Sequence, residues 1–146
     1  GILAATATSG ALIAIVSRTT TAARPFNMIA AHLVGAQRAD AFGFVPVVTI
    51  PGIALHVLLV TLAGIAVAMV ARRRLAPAWL ASITLALISA LVSIGIARRG
   101  GSSLAELLTV GDLLLFHVVL AVSLTLGIRF AFFDTRKNRG TRIESM

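Results

Sequence analysis

Three histidines are the residues in this chain whose type and spacing could support chemistry. His56 follows Pro51 by five residues, and His117 follows Asp112 by five residues. If helices begin at Pro51 and Asp112, a rise of ~1.5 Å per residue places both imidazoles ~7–8 Å from the same end of two parallel helices. Because neutral imidazole binds haem iron, Zn and Cu, this match in depth predicts a b-type haem or metal site with His56 and His117 as ligands. His32 is a further candidate metal ligand.

A structural role is the competing interpretation of these histidines. A single histidine within a membrane helix can serve as a hydrogen-bond partner for a neighbouring helix. The chain contains no HxxxH pair, and the match in depth depends on the assumed helix starts. A mixed histidine–carboxylate site also stays open, since Asp40, Glu106 and Asp112 are expected on the same side of the membrane.

Other catalytic patterns are absent from the sequence. The chain has no Cys, which excludes disulfides, thiolate metal sites, iron–sulfur clusters and a cysteine nucleophile. It also lacks a glycine-rich phosphate loop, a GxSxG motif and an HExxH motif. These absences favour a function that is not enzymatic.

Composition places the chain in a membrane. Of its 146 residues, 58% are hydrophobic and 12% are charged, and the mean hydropathy is +1.00. Soluble domains are about 45–50% apolar and about 25% charged. The net charge of +8 would suggest nucleic acid in a soluble protein. Here the basic residues flank hydrophobic runs, and stacking aromatics are not interleaved with them, so we expect a lipid bilayer and no nucleic acid as partner.

Four hydrophobic runs predict an all-α integral membrane protein, a single domain over residues 1–146. We expect four transmembrane helices in an up-down bundle, at about residues 2–17, 51–71, 77–97 and 113–133. Pro51 and Pro77 would open the second and third spans, and Asp112 would cap the fourth. The first run is short, which favours a chain that continues upstream of Gly1, although removal of an initiator Met is the simpler alternative.

The predicted outer loop, residues 18–50, is long enough to contain structure of its own. Asn27 can cap a short helix from Met28 to Gly35, and an apolar patch at Phe42 and Phe44 follows. We expect this helix to lie at the membrane interface. It would act either as a lid over the helix ends or as a site cover or docking surface for a partner.

Basic residues near the predicted span ends indicate the orientation. With both termini in the cytoplasm, the inner segments hold seven basic residues: Arg72, Arg73, Arg74, Arg136, Lys137, Arg139 and Arg142. The outer segments hold five: Arg18, Arg24, Arg38, Arg98 and Arg99. This bias predicts cytoplasmic termini, with a cytoplasmic tail at residues 134–146. The Ala, Leu, Val and Arg bias of the composition suggests a bacterial protein, and hence the bacterial cytoplasmic membrane. The inner basic residues would contact anionic lipid or a cytoplasmic partner.

Small residues recur at four-residue spacing in every predicted span, which is typical of close helix packing in lipid. The packing candidates are Gly10, Gly64, Ser82, Ala86, Ala90, Ser93 and Gly127. Acidic residues and lysine are missing from the span centres, which argues against a proton pump or a charge-lined channel. We therefore expect a small membrane subunit that packs against other membrane proteins or against itself. A haem or metal-binding electron-transfer anchor is the alternative, and a small transporter or channel is the third possibility.

Overall fold

Helix is the only regular secondary structure in the described part of the chain. The computed structural model describes residues 2–73, 76–98 and 107–143, with side chains for all of these except residues 32, 36, 96–98 and 132–143. The helices within these ranges are α1 (Ile2–Val16), α2 (Arg24–Val34), α3 (Ala36–Ala39), α4 (Pro46–Arg72), α5 (Ala78–Arg98) and α6 (Val110–Ile143). The predicted all-α class is confirmed.

Three of these helices are long and apolar enough to cross a membrane. The qualifying stretches are Pro46–Arg72, Ala78–Gly95 and Val110–Ala131. α1 is apolar but has only 15 residues. At ~1.5 Å per residue it is ~22 Å long, which is less than the ~30 Å hydrocarbon core of a bilayer. The structure thus supports an integral membrane protein, while a fourth crossing by α1 stays a prediction.

α1 packs against both α4 and α6. Near its start, Ala4 joins a buried apolar cluster with Val60 of α4 and Leu124 of α6. Near its end, Leu12 joins a second cluster with Phe116 of α6. The order of these contacts shows that α1 runs antiparallel to α6. Lipid is as apolar as these side chains, so contact between well-fitted surfaces stabilises this packing.

α4 begins five residues earlier than the sequence predicts. Pro46, not Pro51, occupies the first helical position, where a missing N–H costs nothing. The amide of Val45 donates to Thr49 Oγ1 at 3.1 Å, and the Val45 carbonyl accepts from the Thr49 amide at 2.7 Å. Pro51 lies inside the helix, where it removes only the hydrogen bond to the carbonyl of Val47. The predicted start at Pro51 is therefore wrong.

α6 also begins earlier than predicted, because its cap is Thr109 and not Asp112. The Asp112 amide donates to Thr109 Oγ1 at 3.2 Å, and the Thr109 amide donates to Asp112 Oδ2 at 3.1 Å. This reciprocal pair is a capping box in which Asp112 is the third helical residue. At the other end, α6 continues to Ile143, so residues 134–143 of the predicted tail are helical.

α2 lies in the predicted outer loop but differs from the predicted helix. It begins at Arg24, with Pro25 in its first turn, and Asn27 is a buried residue inside the helix instead of its cap. Its predicted end is confirmed, since Gly35 terminates the helix with a φ of 88°, a conformation that favours glycine. α2 packs closely against α4. An interfacial position for α2 stays a prediction.

The close contact between α2 and α4 depends on Gly52. A Cβ added at Gly52 would lie 1.9 Å from the carbonyl oxygen of Phe26 and 3.3 Å from Cβ of Ala30. The backbone of α2 therefore rests directly on α4 at this point. Pro51-Gly52, which resembles a turn in the sequence, is instead a helical surface that accepts a second helix.

Candidate functional site

His56 lies in the buried centre of the helix packing and is held by α1. Its Nε2 lies 3.0 Å from Thr8 Oγ1, and Thr8 Oγ1 lies 2.8 Å from the carbonyl oxygen of Ala4. Since Thr8 has one hydroxyl proton and the Ala4 carbonyl takes it, we assign the His56 Nε2 proton as the donor to Thr8. The interaction joins α4 to α1 through two fully or nearly fully buried side chains.

His117 is held by a different neighbouring helix. Its Nδ1 lies 2.7 Å from the carbonyl oxygen of Leu113, one turn earlier in α6. A carbonyl only accepts, so this nitrogen carries the proton. The Nε2 atom lies 3.3 Å from Ser89 Oγ of α5. This second contact is long for a hydrogen bond, and it joins α6 to α5.

Phe116 lies between the two histidines. Its ring centroid is 6.4 Å from that of His56 and 5.1 Å from that of His117, the latter in an edge-to-face arrangement. Phe26 of α2 also packs edge-to-face against His56, with centroids 6.0 Å apart. Both histidines therefore contact the Phe116 ring. The predicted equal depth, counted from Pro51 and Asp112, fails because α4 and α6 begin at Pro46 and Val110.

The structure brings the two histidines close to one aromatic ring but directs their Nε2 atoms to different helices. No group of three or more His, Asp or Glu side chains that could hold a metal ion occurs in the described part of the chain. His32 lies in α2, and its side chain falls outside the described set. Glu106 also lies outside the described residues. Asp40 belongs to another site, described below.

The inner basic residues are only partly described. Arg72 ends α4 and Arg73 follows it, both with exposed side chains. Arg74 lies outside the described residues. The other four lie along the last turns of α6, where the backbone alone is described: Arg136, Lys137, Arg139 and Arg142.

The packing candidates divide into buried and exposed positions. Four of them are buried: Gly64, Ser82, Ala86 and Ala90. Gly127 is half-buried, and an added Cβ there would lie 3.9 Å from the side chain of Leu3 in α1. Ser93 is half-buried. Gly10 is different, because it is exposed and an added Cβ there would meet nothing within 4 Å. Gly10 therefore does not pack against another helix of the described chain.

A buried polar cluster, which we call the Asn27 network, was not predicted from the sequence. Asn27 is fully buried, and its Nδ2 donates to the carbonyls of Ala41 at 2.8 Å and Gly43 at 3.0 Å. Its Oδ1 accepts a 2.6 Å hydrogen bond from Thr49 Oγ1 of α4. One amide side chain thus joins α2, the following loop and the first turn of α4.

Arg24 extends the Asn27 network at the start of α2. Its side chain is 9% exposed and forms a 2.5 Å ion pair with Asp40, whose side chain is 72% exposed. It also donates to the Asp40 carbonyl, and its guanidinium lies 4.5 Å from the centroid of the Phe42 ring. The Thr21 hydroxyl donates to the Phe42 carbonyl. A Pro-flanked arginine and an Asx residue within an apolar stretch are the sequence signals that could have indicated this cluster.

Comparisons of the chain with known protein families, with curated proteins and with solved structures find no match. Arguments about function therefore rest on the contacts of the chain itself.

Proposed function

We propose that the protein is a small, non-enzymatic integral membrane subunit that associates through the exposed face of α1. The observation that carries this proposal is the shape of that face. Residues exposed at helical spacing include Thr6, Gly10 and Ala14, and Gly10 leaves open space above the backbone. Small residues allow the backbones of two membrane helices to approach closely, which is the principal source of association in lipid.

The other exposed faces differ in character from α1. α5 exposes large aliphatic side chains such as Leu87, Ile88 and Leu91, which suit contact with acyl chains. The Thr6 hydroxyl donates to the carbonyl of Ile2 in its own helix, so it does not require a polar environment. The open surface around Gly10, which lacks large side chains, fits a neighbouring helix as its partner. That helix belongs either to a second copy of the chain or to another membrane protein.

A matched pair of glycine variants tests the association. Gly10→Ile fills the open face of α1, while Gly95→Ile adds the same side chain to α5 at another exposed glycine with no atom within 4 Å of an added Cβ. Each protein is purified from its host membrane in mild detergent, and the mass of the particle is measured by native mass spectrometry. We expect the wild type and Gly95→Ile to retain associated chains and Gly10→Ile to lose them. A wild type that is only a monomer, or an unchanged Gly10→Ile particle, refutes the proposal.

Topology belongs to the same proposal. We propose that α1 also crosses the membrane, that α2 lies at the outer interface, and that both termini are cytoplasmic in a bacterial inner membrane. The basic residues near the helix ends support this orientation. Because the chain has no Cys, single-cysteine variants at Arg38 and Arg73 can be labelled in sealed vesicles of known orientation. Labelling of both cysteine variants from the same side of the membrane would contradict the proposed topology.

A haem or metal-binding electron-transfer anchor is our second proposal. Its support is that His56 and His117 are both buried and that both rings contact Phe116. Iron ligation through the Nε2 atoms would require His56 to give up its contact with Thr8 Oγ1 and His117 to give up its contact with Ser89 Oγ. Absorption spectra of the oxidised and dithionite-reduced protein, with metal analysis, test it: a reduced α-band lost in His56→Ala supports this function over the first. The third proposal, a transporter or channel, requires solute flux in liposomes without a partner.

A further inference from the structure

The loop that precedes α4 and the first turns of α4 carry an apolar patch, and the four loop carbonyls of residues 40–43 accept hydrogen bonds from side chains. The patch consists of Phe42, Phe44, Val47 and Ile50, which are between 57% and 74% exposed. Residues 40–43 would ordinarily present their carbonyls to water. Here each of the four consecutive carbonyls accepts a hydrogen bond from a side chain of the Asn27 network: Asp40 from Arg24, Ala41 and Gly43 from Asn27, and Phe42 from Thr21.

An unpaired carbonyl in hydrocarbon costs several kcal/mol, so pairing of these four carbonyls within the protein favours a position close to the hydrocarbon. At the first turn of α4, the Val45 amide is paired in the same way, because it donates to Thr49 Oγ1. The amides of residues 41–44 have no partner within the described structure, so they require water or lipid headgroups. The loop therefore combines an exposed apolar surface with a partly paired backbone, which suits the membrane interface and not the hydrocarbon core.

The patch is continuous with the lipid-facing side of α4. Val47 and Ile50 begin a row of exposed residues at helical spacing that continues through Leu58, Leu62 and Ile65. α4 has 27 residues, so at ~1.5 Å per residue it is ~40 Å long. Counted from its basic end, the ~30 Å hydrocarbon core ends close to Gly52. The patch thus lies where the acyl chains meet the headgroups, and the same bilayer that covers α4 reaches it.

We propose that Phe42, Phe44, Val47 and Ile50 form a wedge that inserts into the headgroup–acyl boundary of the bilayer. The occupant of this apolar surface is lipid. The Asn27 network holds the wedge in place because it pairs the loop backbone that would otherwise draw the segment toward water. Exposed Arg38 supplies positive charge to this end of the protein, which suits anionic headgroups.

Spin labels at single cysteines measure the insertion directly. The chain has no native Cys, so Phe44→Cys, Val47→Cys, Arg38→Cys and Leu62→Cys each carry one label. Phe44 and Val47 report on the wedge, exposed Arg38 is the aqueous control, and Leu62 is the reference within the span. The labelled protein is reconstituted in vesicles of phosphatidylcholine and phosphatidylglycerol. Collision rates are then measured with oxygen, which concentrates in lipid, and with a water-soluble nickel chelate.

We expect the two wedge labels to collide more often with oxygen than with the chelate, at a depth between those of Leu62 and Arg38. Wedge labels that match the Arg38 label would show a loop in water and overturn the proposal. Labels that collide with neither reagent would show a protein covering the patch, which also overturns it. Neither result alters the Gly10 test, because the patch and the exposed face of α1 are separate surfaces.

Discussion

Replacing Gly52 by Ala should separate α2 from α4. The new Cβ would lie 1.9 Å from the Phe26 oxygen, and real Cβ contacts essentially never fall below 3.0 Å, so α2 must retreat by about 1.1 Å. Overpacking of this kind typically costs ~1–3 kcal/mol. The 2.6 Å hydrogen bond between Asn27 and Thr49 would stretch with the same movement. A buried polar group without a partner adds ~1–3 kcal/mol.

A combined loss of about 3 kcal/mol corresponds to a roughly 100-fold increase in the undocked population of α2. Met28 of α2 is 5% exposed, so in a Met28→Cys background we expect the thiol to react with a water-soluble maleimide only when α2 leaves its packed position. We expect the labelling rate to rise about 100-fold when Gly52→Ala is added, by the same conversion.

Gly10→Ala is the matched control for this measurement. An added Cβ at Gly10 meets nothing within 4 Å, and alanine favours the helix by ~0.5–1 kcal/mol relative to glycine. It should leave the labelling rate of Met28→Cys unchanged. If Met28→Cys reacts with the maleimide at the same rate with and without Gly52→Ala, the contact between α2 and α4 is looser than the structure shows. That result would refute the argument that Gly52 holds the two helices together.

Three further changes probe the buried polar contacts. Thr8→Val removes the hydrogen-bond partner of His56 and should lower the free energy of unfolding by ~1–2 kcal/mol in mixed micelles. Thr6→Val is the control and should change this free energy little, because the Thr6 hydroxyl bonds only to its own helix. Equal effects of the two substitutions would contradict the interhelical role of Thr8. Asn27→Leu should lower the free energy of unfolding by ~2–4 kcal/mol and speed amide hydrogen exchange in residues 41–49. Unchanged exchange in these residues would argue against the Asn27 network. Arg24→Lys should lose the paired contacts to Asp40, because lysine lacks the forked guanidinium. Trypsin should then cleave faster at exposed Arg38. An unaltered cleavage rate would show that the ion pair does not order the loop before α4.

Hydrophobic runs located the long helices well. α1 begins where predicted and ends one residue earlier, and both bounds of α5 differ from the prediction by one residue. These bounds are close because each run is closed by a clear change from apolar to basic or polar residues. The start of α4 was missed, since the prediction placed Pro51 as the first helical residue, a position that proline favours. Whether a proline or glycine ends a helix depends on its neighbours in space, and here Gly52 accepts the backbone of α2.

The polar contacts were harder to predict. Periodicity places His56 within a helix but does not reveal that Thr8 lies beside it, because that contact depends on how α1 packs. Asn27 shows the same limit, since an Asx residue before an apolar stretch is typical of a helix cap. Its actual partners lie 14 to 22 residues further along the chain. The capping box of Thr109 with Asp112 is a local pattern that the sequence contains in full, but it was missed because the prediction placed Asp112 at the cap.

The chain connectivity of the Asn27 network has a consequence for biosynthesis. Its hydrogen bonds join residues at most 22 positions apart, whereas the Thr8–His56 contact joins residues 48 positions apart. Closing a short loop takes well under a microsecond, and ribosomes add ~5–20 residues per second. Segment 21–49 therefore has seconds in which to reach its final hydrogen bonding before His117 and Ser89 can meet. The contacts of the Asn27 network can therefore form before the later helices are synthesised.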